Sequence, residues 1–156
     1  MIKAGIIGGA GYTAGELIRL LLNHKEVTID FVFSTSNAGN PVSHVHQDLT
    51  GSTNLVFTNT VNTGVDVVFL CLGHGNSTAF LNANTFENHT KIIDLSNDFR
   101  LEADAILNGK HFVYGLPELH SDNIKSSNYI ANPGCFATAI QLALLPLAKH
   151  ELLQND

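Results

Sequence analysis

IKAGIIGGAGYTAGELIRLLL, residues 2–22, is the stretch whose reading decides the fold. It begins with a short isoleucine-rich run, Ile2 to Ile7, that stops at a glycine as a strand does. It ends with Leu17, Ile18, Leu20, Leu21 and Leu22, spaced to give one broad apolar helical face and predicting a helix from about Thr13 to His24. Val27 to Phe33 is again strand-like, so the opening of the chain spells strand, helix, strand. At the first junction stand Gly8, Gly9, Ala10, Gly11, Tyr12, Thr13, Ala14 and Gly15. Gly9, Gly11 and Ala14 satisfy the G-x-G-x-x-G/A spacing, and Gly8 with Gly11 fits a looser register. Small residues there let the backbone turn tightly and approach a pyrophosphate, whose charge meets amides at a helix N-terminus. Gly8, Gly9, Ala10, Gly11, Tyr12, Thr13 and Ala14 are therefore candidate dinucleotide contacts. The plainer alternative is a merely structural turn.

Farther along, Val65 to Leu72 is almost continuously apolar, as expected of a strand covered on both faces in a parallel sheet. Ser77 to Glu87 predicts a second helix, Lys91 to Leu95 a short buried strand, and Tyr129 to Ala131 another, giving at least five strand candidates. Residues 34–64, rich in Ser, Thr, Asn and Gly, read as loop with a minor strand at Leu55 to Phe57. Cys135 to His150 has helical spacing, and Pro146 is expected to kink or end that helix. The fold expected is α/β: a Rossmann-type, doubly wound, mostly parallel sheet.

Eight Lys and Arg face fourteen Asp and Glu, and the basic residues are scattered rather than gathered into a stripe. Neither nucleic acid nor an anionic membrane is an expected partner. Neither a signal peptide nor a membrane span is read in the sequence, so a cytoplasmic location is expected. The two cysteines, Cys71 and Cys135, lack the context of a secreted disulfide scaffold and are read as reduced thiols.

The two thiols differ. Asn132-Pro133-Gly134-Cys135-Phe136-Ala137-Thr138 sets Cys135 after a short strand and a Pro-Gly turn, at the head of a helix whose amides and dipole favour a thiolate. It is the candidate nucleophile, against the bland reading of a small packing residue. Cys71 lies inside Val67-Val68-Phe69-Leu70-Cys71-Leu72 and is expected to be buried and inert. For the dinucleotide, Asp30 lies about twenty residues past the glycines, the interval at which an acidic residue holds the ribose of NAD, but it falls in mid-strand. The strand tip is Ser34-Thr35-Ser36-Asn37, neutral groups that accept a 2′-phosphate without repelling it. Ser34 and Ser36 therefore point to NADP, although no Lys or Arg occurs between Lys25 and Lys91.

Gly11-Tyr12-Thr13 with Glu16-Leu17, Leu72-Gly73-His74-Gly75, Asp94-Leu95-Ser96-Asn97-Asp98-Phe99-Arg100, Tyr114-Gly115-Leu116-Pro117-Glu118-Leu119 and Asn132-Pro133-Gly134-Cys135 resemble, in order and spacing, the N-acetyl-gamma-glutamyl-phosphate reductases of the semialdehyde dehydrogenase family. The resemblance spans the whole chain. It implies NADPH-dependent reduction of an acyl phosphate, N-acetyl-gamma-glutamyl phosphate, to N-acetylglutamate semialdehyde with release of phosphate, in arginine biosynthesis and through a thioester on Cys135. It also implies a nucleotide domain over 1–134, with 135–156 carrying the nucleophile helix and opening a second, α+β catalytic domain largely absent from this chain. That domain would hold an acid–base histidine and the contacts of a homo-oligomer.

Within the resemblance, Arg100 and Asn132 are candidate substrate contacts, the guanidinium for its two-point grip on anions. The competing reading of Arg100 is an ion pair with Asp94 or Asp98. Gly73 and His74 are expected along the cofactor crevice, with a loop histidine bonded to backbone as the alternative. His44 and His46 are read as surface residues, and no metal is expected. Two departures stand out: Ala14-Gly15 exchanges two small residues, and Ala10 replaces a hydroxyl-bearing residue before Gly-Tyr. The alternatives are an aspartate-semialdehyde dehydrogenase-like reductase, a sister enzyme sharing fold and cysteine, and a stand-alone NAD(P)-binding regulatory module.

Overall fold

The computed structural model describes residues 1–153. The last three residues of the expected 135–156 segment lie outside them. The strands are β1 (Ile2–Ile7), β2 (Val27–Phe33), β3 (Phe57–Thr58), β4 (Val67–Leu70), β5 (Lys91–Asp94), β6 (Ile106–Leu107), β7 (Lys110–His111), β8 (Val113–Tyr114) and β9 (Tyr129–Ala131). The helices are α1 (Tyr12–Leu22), α2 (Ser77–Ala83), α3 (Pro117–Ser126) and α4 (Cys135–Lys149).

Seven strands form one sheet in the order β3-β2-β1-β4-β5-β9-β8, every neighbouring pair parallel. The expected α/β, doubly wound architecture is therefore present. The order reverses between β1 and β4, and the crevice at the carboxyl ends of the strands on either side of such a reversal is where ligands sit in open α/β sheets. In β1, Ile6 and Ile7 point to opposite faces, and both are fully buried, one in each of two cores. Ile6 packs with Ala14 and Ile18 of α1 and with Val32 and Phe57, while Ile7 packs with Val68, Leu70, Ile92 and Phe112. Full burial of such a side chain is worth about 1.5–3 kcal/mol, so polar substitution on either side of β1 would open one of the cores.

The expected elements shift at their ends. β4 is shorter than its apolar run, and α2 stops at Ala83 because Asn84 turns extended (φ −132°, ψ 118°). The minor strand moves to Phe57–Thr58, where it pairs with the tip of β2. Pro146 does not end α4: the helix continues to Lys149, and His150 N–H still bonds to the Pro146 carbonyl. Three pieces were not anticipated. One is the β6–β7 hairpin, whose Asn108-Gly109 turn has both residues at positive φ, as a tight right-twisting hairpin requires. The others are β8 and α3, the latter opened by Pro117 and non-helical at His120.

Candidate active site

The glycine turn follows from its surroundings. Gly8 has φ +79°, and a Cβ there would lie 2.6 Å from the Cys71 carbonyl oxygen. The amides of Gly8 and Gly9 both donate to the Phe33 carbonyl at the tip of β2 (3.1 and 2.8 Å), and Gly11 N–H closes the turn on the Gly8 carbonyl (3.1 Å). A Cβ on Gly9 would meet the buried Val32 Cγ1 at 2.2 Å. One on Gly11 would meet nothing nearer than 3.5 Å, so no neighbour inside the fold demands glycine there. Gly11 is the N-cap of α1, and no side chain caps that helix. The first-turn amides are thus left for an outside acceptor, and a dinucleotide pyrophosphate fits this cradle.

One histidine belongs to this turn. His46, expected on the surface, is buried, and its Nε2 lies 2.7 Å from the Gly9 carbonyl oxygen. Two single-turn helical segments, Val42–His44 and Gln47–Leu49, fold over α1 with Val42 and Leu49 buried, carrying the ring inward between them. His44 stays exposed. A Cβ on Gly15 would sit 2.5 Å from His46 Nδ1, which explains why the second small residue of Ala14-Gly15 is the glycine.

At the tip of β2, Ser34 is buried and Ser36 exposed. The Asn37 amide donates to both hydroxyl oxygens, at 3.2 and 3.1 Å, which leaves both hydroxyl protons free to turn toward another acceptor. Asp30 lies back along the strand, exposed, and accepts from Asn62 Nδ2 at 2.9 Å.

Beyond β4 and β5 the loops are tied by two carboxylates, Asp94 and Asp98. Asp94 is buried and accepts the hydroxyls of Ser77 and Ser96 at 2.5 and 2.7 Å. Burial pushes its carboxyl above the usual range, against the pull of those hydroxyls. Asp98 also feels burial pushing upward, but the amides of Thr78 and Gly75 and the hydroxyls of Ser96 and Thr78 outweigh it and hold the group below the usual range. Asp98 thereby pins the Gly73–Thr78 loop to the Leu95–Arg100 loop. His74 Nδ1 accepts the Asn97 amide at 3.1 Å, and the Gly73 carbonyl accepts from Asn76.

The ion pair considered for Arg100 does not form. Its Nε donates to the Asn132 carbonyl (2.9 Å) and its Nη2 to the Leu95 carbonyl (2.8 Å), because the side chain runs across to the 132–134 turn and away from both aspartates. A Cβ on Gly134 would come within 3.0 Å of Arg100 Nη1, so guanidinium and turn are fitted closely. Next in the chain, exposed Cys135 is the first residue of α4, behind an extended Gly134 (φ −70°, ψ 151°), and no side chain caps this helix either. Thr138 Oγ1 donates to the Gly134 carbonyl, and Tyr114 Oη donates to Gln141 Oε1 at 3.1 Å, tying α4 to β8. Cys71 is half-buried, and burial pushes its thiol up to about 12.

These loops enclose a cleft of about 1200 Å³ whose walls include Thr13, His74, Arg100, Tyr114, Asn132 and Cys135. Of the glycine turn and the α1 N-terminus only Thr13 reaches it; Ser34, Ser36 and Gly73 are not on its wall. α4 leaves Phe136 (80% accessible, on the cleft wall), Ile140, Leu144 and Leu147 exposed. Among the described residues no helix is long and apolar enough to cross a membrane.

Residues 3–127 match the family model for the semialdehyde dehydrogenase NAD-binding domain. The chain is 67% identical to the N-acetyl-gamma-glutamyl-phosphate reductase of Flavobacterium johnsoniae over all of its own length and 48% of that protein's. It is 61% identical to the enzyme of the same name from Christiangramia forsetii, again over its whole length and 47% of the relative's. The chain thus spans about half the length of these relatives. Among solved structures, an aspartate semialdehyde dehydrogenase with NADP from Candida albicans superimposes with a TM-score of 0.71, covering 98% of this chain and 48% of the other, at 18% identity, a likeness of fold.

Proposed function

Since the chain belongs to the semialdehyde dehydrogenase family through its NAD-binding domain, we propose that it is the nucleotide-binding, nucleophile-bearing half of a cytoplasmic N-acetyl-gamma-glutamyl-phosphate reductase of arginine biosynthesis. In this reading residues 1–134 hold NADPH, and 135–156 begin the part that completes the catalytic centre and the oligomer. The observation that carries it is the shared cleft: exposed Cys135 and Thr13 of the α1 N-terminus line the same walls.

The reaction uses this chain's residues as follows. The Cys135 thiolate attacks the acyl carbon, the bond from that carbon to the phosphate oxygen breaks, phosphate leaves, and a thioester forms. Covalent capture holds the acyl group in the cleft and keeps the activated carboxyl from water. When bound, the nicotinamide supplies the hydride that converts the thioester to aldehyde and returns the thiolate. Arg100, already bonded to the Asn132 and Leu95 carbonyls, fixes the 132–134 turn and presents its remaining N–H groups to the acyl phosphate. The Ser34 and Ser36 hydroxyls, their oxygens engaged by Asn37, offer protons to a 2′-phosphate, which favours NADP. The bare apolar face of α4 speaks for an enzyme half against a self-sufficient binding module, because monomeric proteins seldom expose contiguous apolar surface.

The test is phosphate release and NADPH oxidation measured together on the full-length protein and on Cys135→Ser. The parent should couple the two one for one with N-acetyl-gamma-glutamyl phosphate and prefer it to aspartyl phosphate. The variant should lose both by on the order of 10³-fold or more while still binding NADPH. Undiminished turnover in the serine variant would refute the nucleophile; preference for aspartyl phosphate would move the chain to the sister activity.

A further inference from the structure

We propose that His46 is a positioning residue that sets the phosphate turn for the dinucleotide, an inference that rests on the cofactor reading above. The Gly9 carbonyl is an acceptor only, so a contact of 2.7 Å requires that Nε2 carry the ring proton and donate it. Among the described residues no peptide bond is cis, and in a trans peptide the carbonyl and the next N–H point in opposite directions. Drawing the Gly9 carbonyl inward onto His46 therefore turns the Ala10 N–H outward. No backbone or side-chain acceptor among the described residues takes that N–H, and it lies beside the uncapped N-terminus of α1.

The ring is held on three sides. It fills the space that a Cβ on Gly15 would need, it tilts against Phe57 at 6.3 Å between centroids, and its own backbone is bonded into the flanking turns through Val42 and Leu49. Phe57 in turn stands 3.3 Å from where a Cβ on Gly9 would be. Histidine, the glycine at 15 and the glycine at 9 thus form one fitted unit. The unit acts on the pyrophosphate through the Gly9–Ala10 peptide and makes no contact of its own with the cleft.

The experiment compares two ligands on the full-length protein: NADPH, which has a pyrophosphate, and adenosine 2′-monophosphate, which has none. His46→Phe keeps a ring without the donor and should weaken NADPH about tenfold while changing the affinity for adenosine 2′-monophosphate less than about twofold. His46→Gln, whose amide can donate to the same carbonyl, should recover most of the loss. Equal weakening of both ligands, or none, overturns the proposal and leaves His46 a packing residue. If the parent binds neither ligand, the cofactor reading falls and this inference with it. Should the phenylalanine variant fail to fold, ¹⁵N spectra of the parent decide: the His46 ring should carry its proton on Nε2 and shift with NADPH but not with adenosine 2′-monophosphate. A proton found on Nδ1 alone refutes the donor.

Discussion

Two glycines two residues apart should respond oppositely to the same change. In Gly9→Ala the new methyl would sit 2.2 Å from Val32 Cγ1 and 3.3 Å from both Phe57 Cε1 and the Phe33 carbonyl. Val32 is fully buried and, being β-branched, cannot swing aside cheaply. Overpacking of this kind costs about 1–3 kcal/mol, offset by roughly 0.4–1 kcal/mol from the stiffer unfolded chain, for a net loss of about 1–2 kcal/mol. For a domain of this size each kcal/mol moves Tm roughly 2–4 °C, so a fall of about 2–8 °C is expected. In Gly11→Ala the methyl meets only the Gly8 and Cys71 carbonyl oxygens, at 3.5 and 3.7 Å, which is ordinary contact. Alanine is poorer than glycine at an N-cap by about 0.5–1 kcal/mol, and the unfolded-state gain is of similar size, so Tm should move by less than about 2 °C. NADPH affinity should nevertheless fall at least about tenfold, because that methyl points where the pyrophosphate must come close. Thermal melts by circular dichroism give the first quantity. Titration of NADPH fluorescence gives the second, undisturbed by tryptophan because the chain has none. If Gly11→Ala is as unstable as Gly9→Ala, or binds NADPH as the parent does, the assignment of Gly9 to packing and Gly11 to the ligand is wrong.

Two further outcomes follow from the same loops. Asp98 has its carboxyl held below the ordinary 3.8, so its contribution is present above that value and lost as pH falls through the lowered one. Asp98→Asn should cost about 1–3 kcal/mol at pH 7 by urea unfolding, with the gap from the parent closing in acid; Asp94, raised chiefly by burial and least by the charge of Asp98, loses only that smaller push in the variant. A gap that does not depend on pH would show that Asp98 acts as a neutral bond partner. For the thiols, iodoacetamide at pH 8 should label Cys135 and spare Cys71, whose thiol is pushed up to about 12, as read by peptide mass spectrometry. Labelling of Cys71 at a comparable rate would contradict its burial.

What could be read from sequence was whatever repeats locally. The αβ opening was legible because Ile6 and Ile7 feed two cores and the leucines of α1 recur at helical period, and both signals lie within one short window. Ends were less legible, since they depend on single backbone choices such as the extended Asn84 that stops α2. The β6–β7 hairpin did have a signal, Asn108-Gly109, but its strands are two residues each and show no alternation. Pro146 misled because a proline signals a missing N–H, whereas α4 continues through it to Lys149.

The site divides in the same way. The places of Gly8, Gly11 and Cys135 were legible because immediate neighbours set them: a glycine ending a strand, a glycine or a cysteine at the mouth of a helix. Arg100 was half legible. A guanidinium beside two aspartates suggests an ion pair, yet it bonds to carbonyls because Asp94 and Asp98 are already taken by Ser77, Ser96, Thr78 and the Gly75 amide. His46 was misread outright. It sits in a polar loop thirty-seven residues from the carbonyl it meets, and nothing near it in the chain distinguishes it from exposed His44. The one indirect sign was Gly15, a glycine inside a helix, where it costs about 1 kcal/mol against alanine. Such a residue is explained only if something else occupies the space of its side chain, and here that something is the His46 imidazole. Exchanging the two, with Gly15→Ala paired to His46→Ala, should therefore be less damaging than the sum of the single changes, because the first substitution's clash and the second's void lie in the same place.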